Sequence, residues 1–198
     1  MTSSATEEPG GFRRALDLFE EAASAVPADA WEAPSPCAGW TARDVAGHVI
    51  GIQHEIIALT RGETPPDVSH TPARFARPDP LTAWKSARAA CQSSLTPEAL
   101  NRLIPFPGFG DLPLRTLLDT YVLELIVHAW DLATAAALPL HPEPDLIHHA
   151  LATAQVIAPA LRRDGLIAPP RPTPRGAPEL TRLLSTLGRN TGFHAPPA

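Results

Sequence analysis

The chain has 198 residues, 44% of them hydrophobic, and a formal net charge of −5 from 16 Lys and Arg against 21 Asp and Glu. That length suits one domain, or one domain with an appendage, and is enough to bury a core without disulfide or metal staples. The acidic balance and scattered arginines give no reason to expect nucleic acid, and no run approaches the roughly 18 apolar residues that span a bilayer.

The start, MTSSATEEPGG, is polar and acidic and lacks the basic-then-apolar pattern of a signal peptide. The two cysteines, Cys37 and Cys91, form no CxxC and fit a reducing compartment, so the expected location is the cytoplasm. Residues 12–25, FRRALDLFEEAASA, put Phe12, Leu16, Phe19 and Ala23 on one face and predict an amphipathic helix that Pro27 stops. WEAPSPCAGW reads as a loop, with Trp31 and Trp40 as its anchors. Thr41 followed by Asp44 resembles a capping box and opens a helix from 42 to about 60, with the stripe Val45, Val49, Ile52, Ile56 and Leu59. Residues 62–78 form a Pro-rich connection.

Asp79-Pro80 reads as N-cap and first helical residue of a helix through Trp84 to about Leu95. Thr96-Pro97 repeats that signal for a short helix. PFPGFGDLP is turn-rich, with a few extended residues at most, and no strand is predicted. A strong helix follows from about 113 to 137, then another from about 143 to 163, which Pro159 should kink or end early. RDGLIAPPRPTPRGAP is a semi-rigid connection. A last short helix, ELTRLLSTLG, packs Leu180, Leu183, Leu184 and Leu187 before the chain frays. Helices of bundle length joined by loops predict an all-α four-helix bundle with short accessory helices over residues 1–163. Residues 164–198 then form a Pro-rich C-terminal segment packed on the same domain.

The chemistry concentrates in YVLELIVHAWD, residues 121–131. At about 100° per residue, Leu117, Tyr121, Glu124, His128 and Asp131 form one stripe of an otherwise apolar helix. A buried lone carboxylate costs several kcal/mol or surrenders its charge, so something must compensate. Three compensations are open. One is a local Glu–His ion pair at i,i+4, which contributes about 0.2–0.5 kcal/mol. Another is acid–base chemistry without a metal. The third is a divalent cation, since ExxxH points a carboxylate oxygen and an imidazole nitrogen at one spot.

The best donor of a third ligand is His48 in GWTARDVAGHVIG, two turns into a capped helix and beside its apolar stripe. Two imidazoles and a carboxylate suit zinc, iron(II) or nickel(II) and leave coordination positions open. Asp131 is spaced to orient His128 from behind, or else simply faces the bundle end. Cys37 precedes the His48 helix, where a thiol can be acidified, although a small buried loop residue is the stronger reading. Trp130 reads as a core anchor. His54, His141, His148 and His149 read as surface residues, and Arg171 and Arg175 as solvated linker charges. The sequence has no Gly-rich phosphate loop, GxSxG or HExxH.

SPCAGWTARDVAGHVIG, LELIVHAWDLATA and LLSTLGRN resemble the metal-binding proteins of the DinB-like superfamily, in the branch related to mycothiol-dependent maleylpyruvate isomerase. The resemblance implies a four-helix bundle with His48, Glu124 and His128 as metal ligands and water completing the shell. It also implies use of a low-molecular-weight thiol whose sulfur the metal activates. The isomerase itself is similar to such a bundle followed by a sizeable second domain, whereas here a linker and one short helix follow residue 163.

The expected function is therefore a divalent-metal enzyme, zinc first and nickel or iron as alternatives. It would activate mycothiol for addition to a small electrophile, as an S-transferase or a cis–trans isomerase. The alternatives are a hydrolase or lyase using metal-bound water, and a non-catalytic metal-dependent ligand-binding module. The expected partners are the electrophile and the thiol, with no nucleic acid and no membrane, and the chain is expected as a monomer or homodimer.

Overall fold

A computed structural model describes residues 10–106 and 108–193; the acidic first nine residues and the chain end expected to fray beyond 193 lie outside the described residues. Four helices close a ring: α1 (Gly10–Ala25), α2 (Ala42–Arg61), α3 (Pro80–Ser94) and α5 (Leu114–Ala135). α1 packs on α3 and α5, and α2 closes the ring by packing on the same two. Between α3 and α5 lie a single turn, α4 (Pro97–Leu100), and a hairpin of β1 (Leu103–Phe106) and β2 (Gly110–Pro113). α6 (Pro144–Arg163) lies outside the ring against α5, and α7 (Glu179–Thr186) packs on α6. No described helix is long and apolar enough to cross a membrane.

Local signals set most of the boundaries. The Thr41 hydroxyl accepts from the Asp44 N–H and the Asp44 carboxylate accepts from the Thr41 N–H, which completes the capping box of α2. At α3 and α4 the cap is one-sided, the Asp79 and Thr96 side chains accepting from the Thr82 and Ala99 N–H, and each is followed by a proline whose missing N–H costs nothing at that position. Inside the ring, Phe12, Leu16 and Phe19 of α1 are buried, as is Trp84 of α3, whose ring lies 4.6 Å from that of Phe19. Each such side chain contributes about 1.5–3 kcal/mol by leaving water.

Two expectations are corrected. The turn-rich stretch after α4 is an antiparallel hairpin, pairing Leu103 with Pro113 and Phe106 with Gly110. A two-stranded ribbon has outer edges that need no ladder donors, so Pro105 and Pro113 are tolerated, and Gly108 and Gly110 supply left-handed backbone at the tip. Pro159 does not end α6 early, because the helix runs on to Arg163. Pro159 and Gln155 both lie on the solvent-exposed face of α6, where a carbonyl freed by the missing N–H is open to water. Meanwhile Leu151, Ala154, Ile157 and Ala158 hold the inner face of α6.

Two local features position the site. Gly47 and Gly51 flank His48 on α2, and the 62–78 connection lies directly on them. A Cβ at Gly47 would sit 2.1 Å from the Pro72 carbonyl oxygen, and one at Gly51 would sit 3.0 Å from Val68. Beyond α7, Gly188 takes a left-handed conformation, its N–H reaching the Ser185 carbonyl and the Arg189 N–H reaching Leu184. This is a Schellman turn, and it folds Arg189 back toward the bundle. Arg171 serves this turn, its Nε donating to the Gly188 carbonyl at 3.0 Å, so it is more than a solvated linker charge.

Candidate metal centre

His48 on α2 meets Glu124 and His128 on α5 where these two helices face the 62–78 connection, α6 and the segment after α7, on the side of the pair away from α1 and α3. The His128 Nε2 lies 3.1 Å and the His48 Nε2 3.7 Å from the same Glu124 Oε2. One donor atom from each of the three side chains falls within 4.8 Å of the others. Donors about 2.0–2.2 Å from one cation sit roughly 3–3.5 Å apart when adjacent, so this spacing fits an ion at the centre. The donor chemistry fits as well, since two imidazoles and a carboxylate are the ligands borderline cations take.

Both imidazoles are oriented from behind. The His48 Nδ1 donates to the Val68 carbonyl at 3.1 Å, and the His128 Nδ1 donates to Asp131 at 3.0 Å, leaving each Nε2 aimed at the shared point. The Val68 carbonyl is within reach because Gly47 and Gly51 let its loop lie on α2. Asp131 is fully buried and accepts from Arg189, with Nη2 at 2.9 Å and Nε at 3.1 Å. A line of contacts thus runs from Arg189 through Asp131 and His128 to Glu124.

The electrostatics follow from burial and these partners. Burial alone would raise the Glu124 carboxyl, but hydrogen bonds and charge from His128 and His48 outweigh it and hold Glu124 well below the usual carboxylate range. Burial would likewise lower His128, but Asp131 and Glu124 outweigh it and raise it. For Asp131 burial is again opposed, by the His128 hydrogen bond and the Arg189 charge, and its pKa is lowered.

A cavity of about 450 Å³ opens onto the three side chains. The Trp40 ring forms part of its wall, 5.0 Å from the His48 ring and 6.1 Å from that of His128. Glu124 keeps 37% of its side-chain surface exposed toward this space, whereas His128 keeps 5%. The cavity therefore approaches the cluster from the Glu124 side. Such a site can hold a cation by three protein donors and present its remaining positions to a small molecule.

Of the other sequence candidates, Cys37 also lines the cavity, but burial pushes its thiol up to about 11 despite the opposing charge of Arg189. Of its two sequence readings, this fits the stronger one, a small loop residue, and not the acidified thiol. His54 is exposed and stacks on Phe75, while His148 and His149 face Glu179 and Asp119 across the surface rather than each other. His141 is exposed, and Trp130 is half-buried away from the cavity. Three contributors went unread in the sequence. Arg189 lies 58 residues from its partner, and the sequence marks Trp40 only as a loop anchor. Glu55, seven residues after His48 on the same face of α2, carried the one usable signal.

Residues 12–133 match the sequence model of the mycothiol maleylpyruvate isomerase N-terminal domain. An uncharacterised protein of Mycobacterium tuberculosis, from strains CDC 1551 / Oshkosh and ATCC 25618 / H37Rv, is 30% identical over 181 residues, covering 89% of this chain and 94% of that protein. The crystal structure of a histidine-to-alanine mutant of mycothiol-dependent maleylpyruvate isomerase shares the fold at a TM-score of 0.56 and 17% identity. The likeness covers 75% of this chain and 66% of that one.

Proposed function

The chain belongs to the family of the mycothiol maleylpyruvate isomerase N-terminal domain, and we propose that it is a divalent-metal-dependent enzyme that activates mycothiol for addition to a small electrophile. One observation carries the metal part of this reading: His48, Glu124 and His128 converge on one point with both imidazole Nδ1 atoms already engaged elsewhere. Zinc is the first choice, with nickel or iron suited to the same donors. A cation held there supplies Lewis acidity, which brings a thiol pKa down toward neutrality.

The protein's own share is positional. Asp131 keeps the His128 Nε2 directed at the point where the cation would be held, and the Val68 carbonyl does the same for His48. Trp40 and the apolar side chains of the cavity exclude water from the reacting sulfur. The C–S bond forms as sulfur adds to the electrophilic carbon, and the thiol proton ends on the adduct, so the addition balances. Release of the adduct makes the protein an S-transferase, and its collapse after bond rotation makes it a cis–trans isomerase. The half-buried Cys37 has no nucleophilic part in this scheme.

Metal analysis tests the reading first. The purified protein is expected to hold close to one equivalent of metal per chain and to lose it in His128→Ala. A full complement retained by that variant removes the ligand assignment. Turnover of electrophiles is expected only with mycothiol present, and equal turnover without a thiol would reassign the protein as a hydrolase or lyase.

A further inference from the structure

A second cavity, of about 560 Å³, adjoins the first and shares Glu55, Phe106, Thr120 and Tyr121 with it. The shared wall is held by a hydrogen bond from the Tyr121 hydroxyl to Glu55 Oε1 at 3.1 Å, which leaves the other carboxylate oxygen as an acceptor. Glu55 stands seven residues beyond His48 on α2, and Tyr121 seven residues before His128 on α5. At about 1.5 Å per residue both offsets put this wall roughly 10 Å from the metal-binding point.

The far lobe differs in chemistry from the metal lobe. Its rim carries Glu63 and Arg102, and its floor includes Leu59 and Leu117. Arg102 is seated over the left-handed Gly62 that ends α2, where a Cβ would lie 3.3 Å from its Nη1. The left-handed backbone favours glycine there, and the missing Cβ leaves room for the guanidinium. Carboxylate acceptors, a forked guanidinium donor and the half-buried rings of Phe106 and Tyr121 together suit a ring that bears hydroxyls on its edge and C–H groups on its face.

We infer that the second cavity seats the polyhydroxylated body of the thiol co-substrate, read by Glu55, Glu63 and Arg102, while the sulfur end reaches past the Glu55–Tyr121 wall to the His48–Glu124–His128 point. This rests on the thiol reading above and deepens it. The second cavity makes the protein selective for a thiol carried on a sugar-like body, since a bare cysteine derivative fills the metal lobe alone. The volume of each lobe lies in the range of about 300–1,000 Å³ of small-molecule sites.

Calorimetric titration of the zinc-loaded protein with mycothiol and, separately, with N-acetylcysteine tests this. The wild type is expected to bind mycothiol more tightly. Arg102→Ala and Glu63→Gln, both at exposed positions that leave the core intact, are each expected to weaken mycothiol by about tenfold and to leave N-acetylcysteine unchanged. Equal affinity for the two thiols in the wild type, or variants that bind mycothiol as the wild type does, would overturn the subsite alone. Absence of binding by either thiol would overturn the thiol reading and the subsite with it.

Discussion

Replacing Asp131 with alanine perturbs the site at its most buried charge. Asp131 has no exposed side-chain surface, and its partner Arg189 keeps 15% of its own, so the substitution strands a guanidinium inside the protein. Breaking a buried pair from one side costs about 3–5 kcal/mol. At a urea m-value of about 2 kcal/mol per molar, the unfolding midpoint of the metal-free protein falls by roughly 2 M. The same change frees the His128 Nδ1, and loss of such an orienting partner lowers metal affinity by about 10–100-fold.

The pH dependence has a definite sign. The folded pKa of Asp131 lies below its unfolded value, so its contribution is fully present above the unfolded value of about 3.9 and is lost as pH falls through the folded one. The gap between wild type and Asp131→Ala is therefore full at neutral pH and closes in strong acid. Urea unfolding in chelator, with zinc competition titrations alongside, measures both effects. A variant with the wild-type midpoint at pH 7 and unchanged zinc affinity would refute the coupling of Arg189, Asp131 and His128. Adding Arg189→Met to Asp131→Ala should cost less than the sum of the two single changes.

Gly47→Ala puts a methyl group 2.1 Å from the Pro72 carbonyl oxygen. It should cost about 1–3 kcal/mol of stability and weaken zinc binding by displacing Val68 from His48. Thermal unfolding and zinc titration check this, and a neutral outcome in both would show that the loop does not orient His48. The raised Cys37 thiol predicts slow alkylation in the metal-free native protein at pH 7–8, accelerating as pH rises toward about 11. Mass-spectrometric rates equal to those of an unfolded control at pH 7 would contradict that.

Much of the framework was legible because it is local. Period-3.6 stripes marked α1, α2 and α5, and Thr41, Asp79 and Thr96 marked the starts of α2, α3 and α4. Glu124 and His128 stood out because i,i+4 spacing fixes their relation on one helix, and His48 because it sits beside the apolar stripe of a capped helix. What stayed hidden depends on long-range packing. Nothing near Arg189 in the sequence says that a Schellman turn after α7 returns it to Asp131, or that Trp40 leaves its loop to flank two histidines. The hairpin escaped because its four-residue strands carry Pro105 and Pro113 and show no clean alternation. Pro159 misled because its cost depends on whether the freed carbonyl meets water, which only the packing of α6 decides.

The central claim, that a thiol sulfur reaches a cation held by His48, Glu124 and His128, is tested most directly by the visible and near-ultraviolet spectrum of cobalt-substituted protein titrated with mycothiol. A sulfur-to-cobalt charge-transfer band that grows and saturates at one thiol per metal, and is missing in His128→Ala, is the predicted result. A cobalt spectrum that saturating thiol leaves unchanged would contradict it.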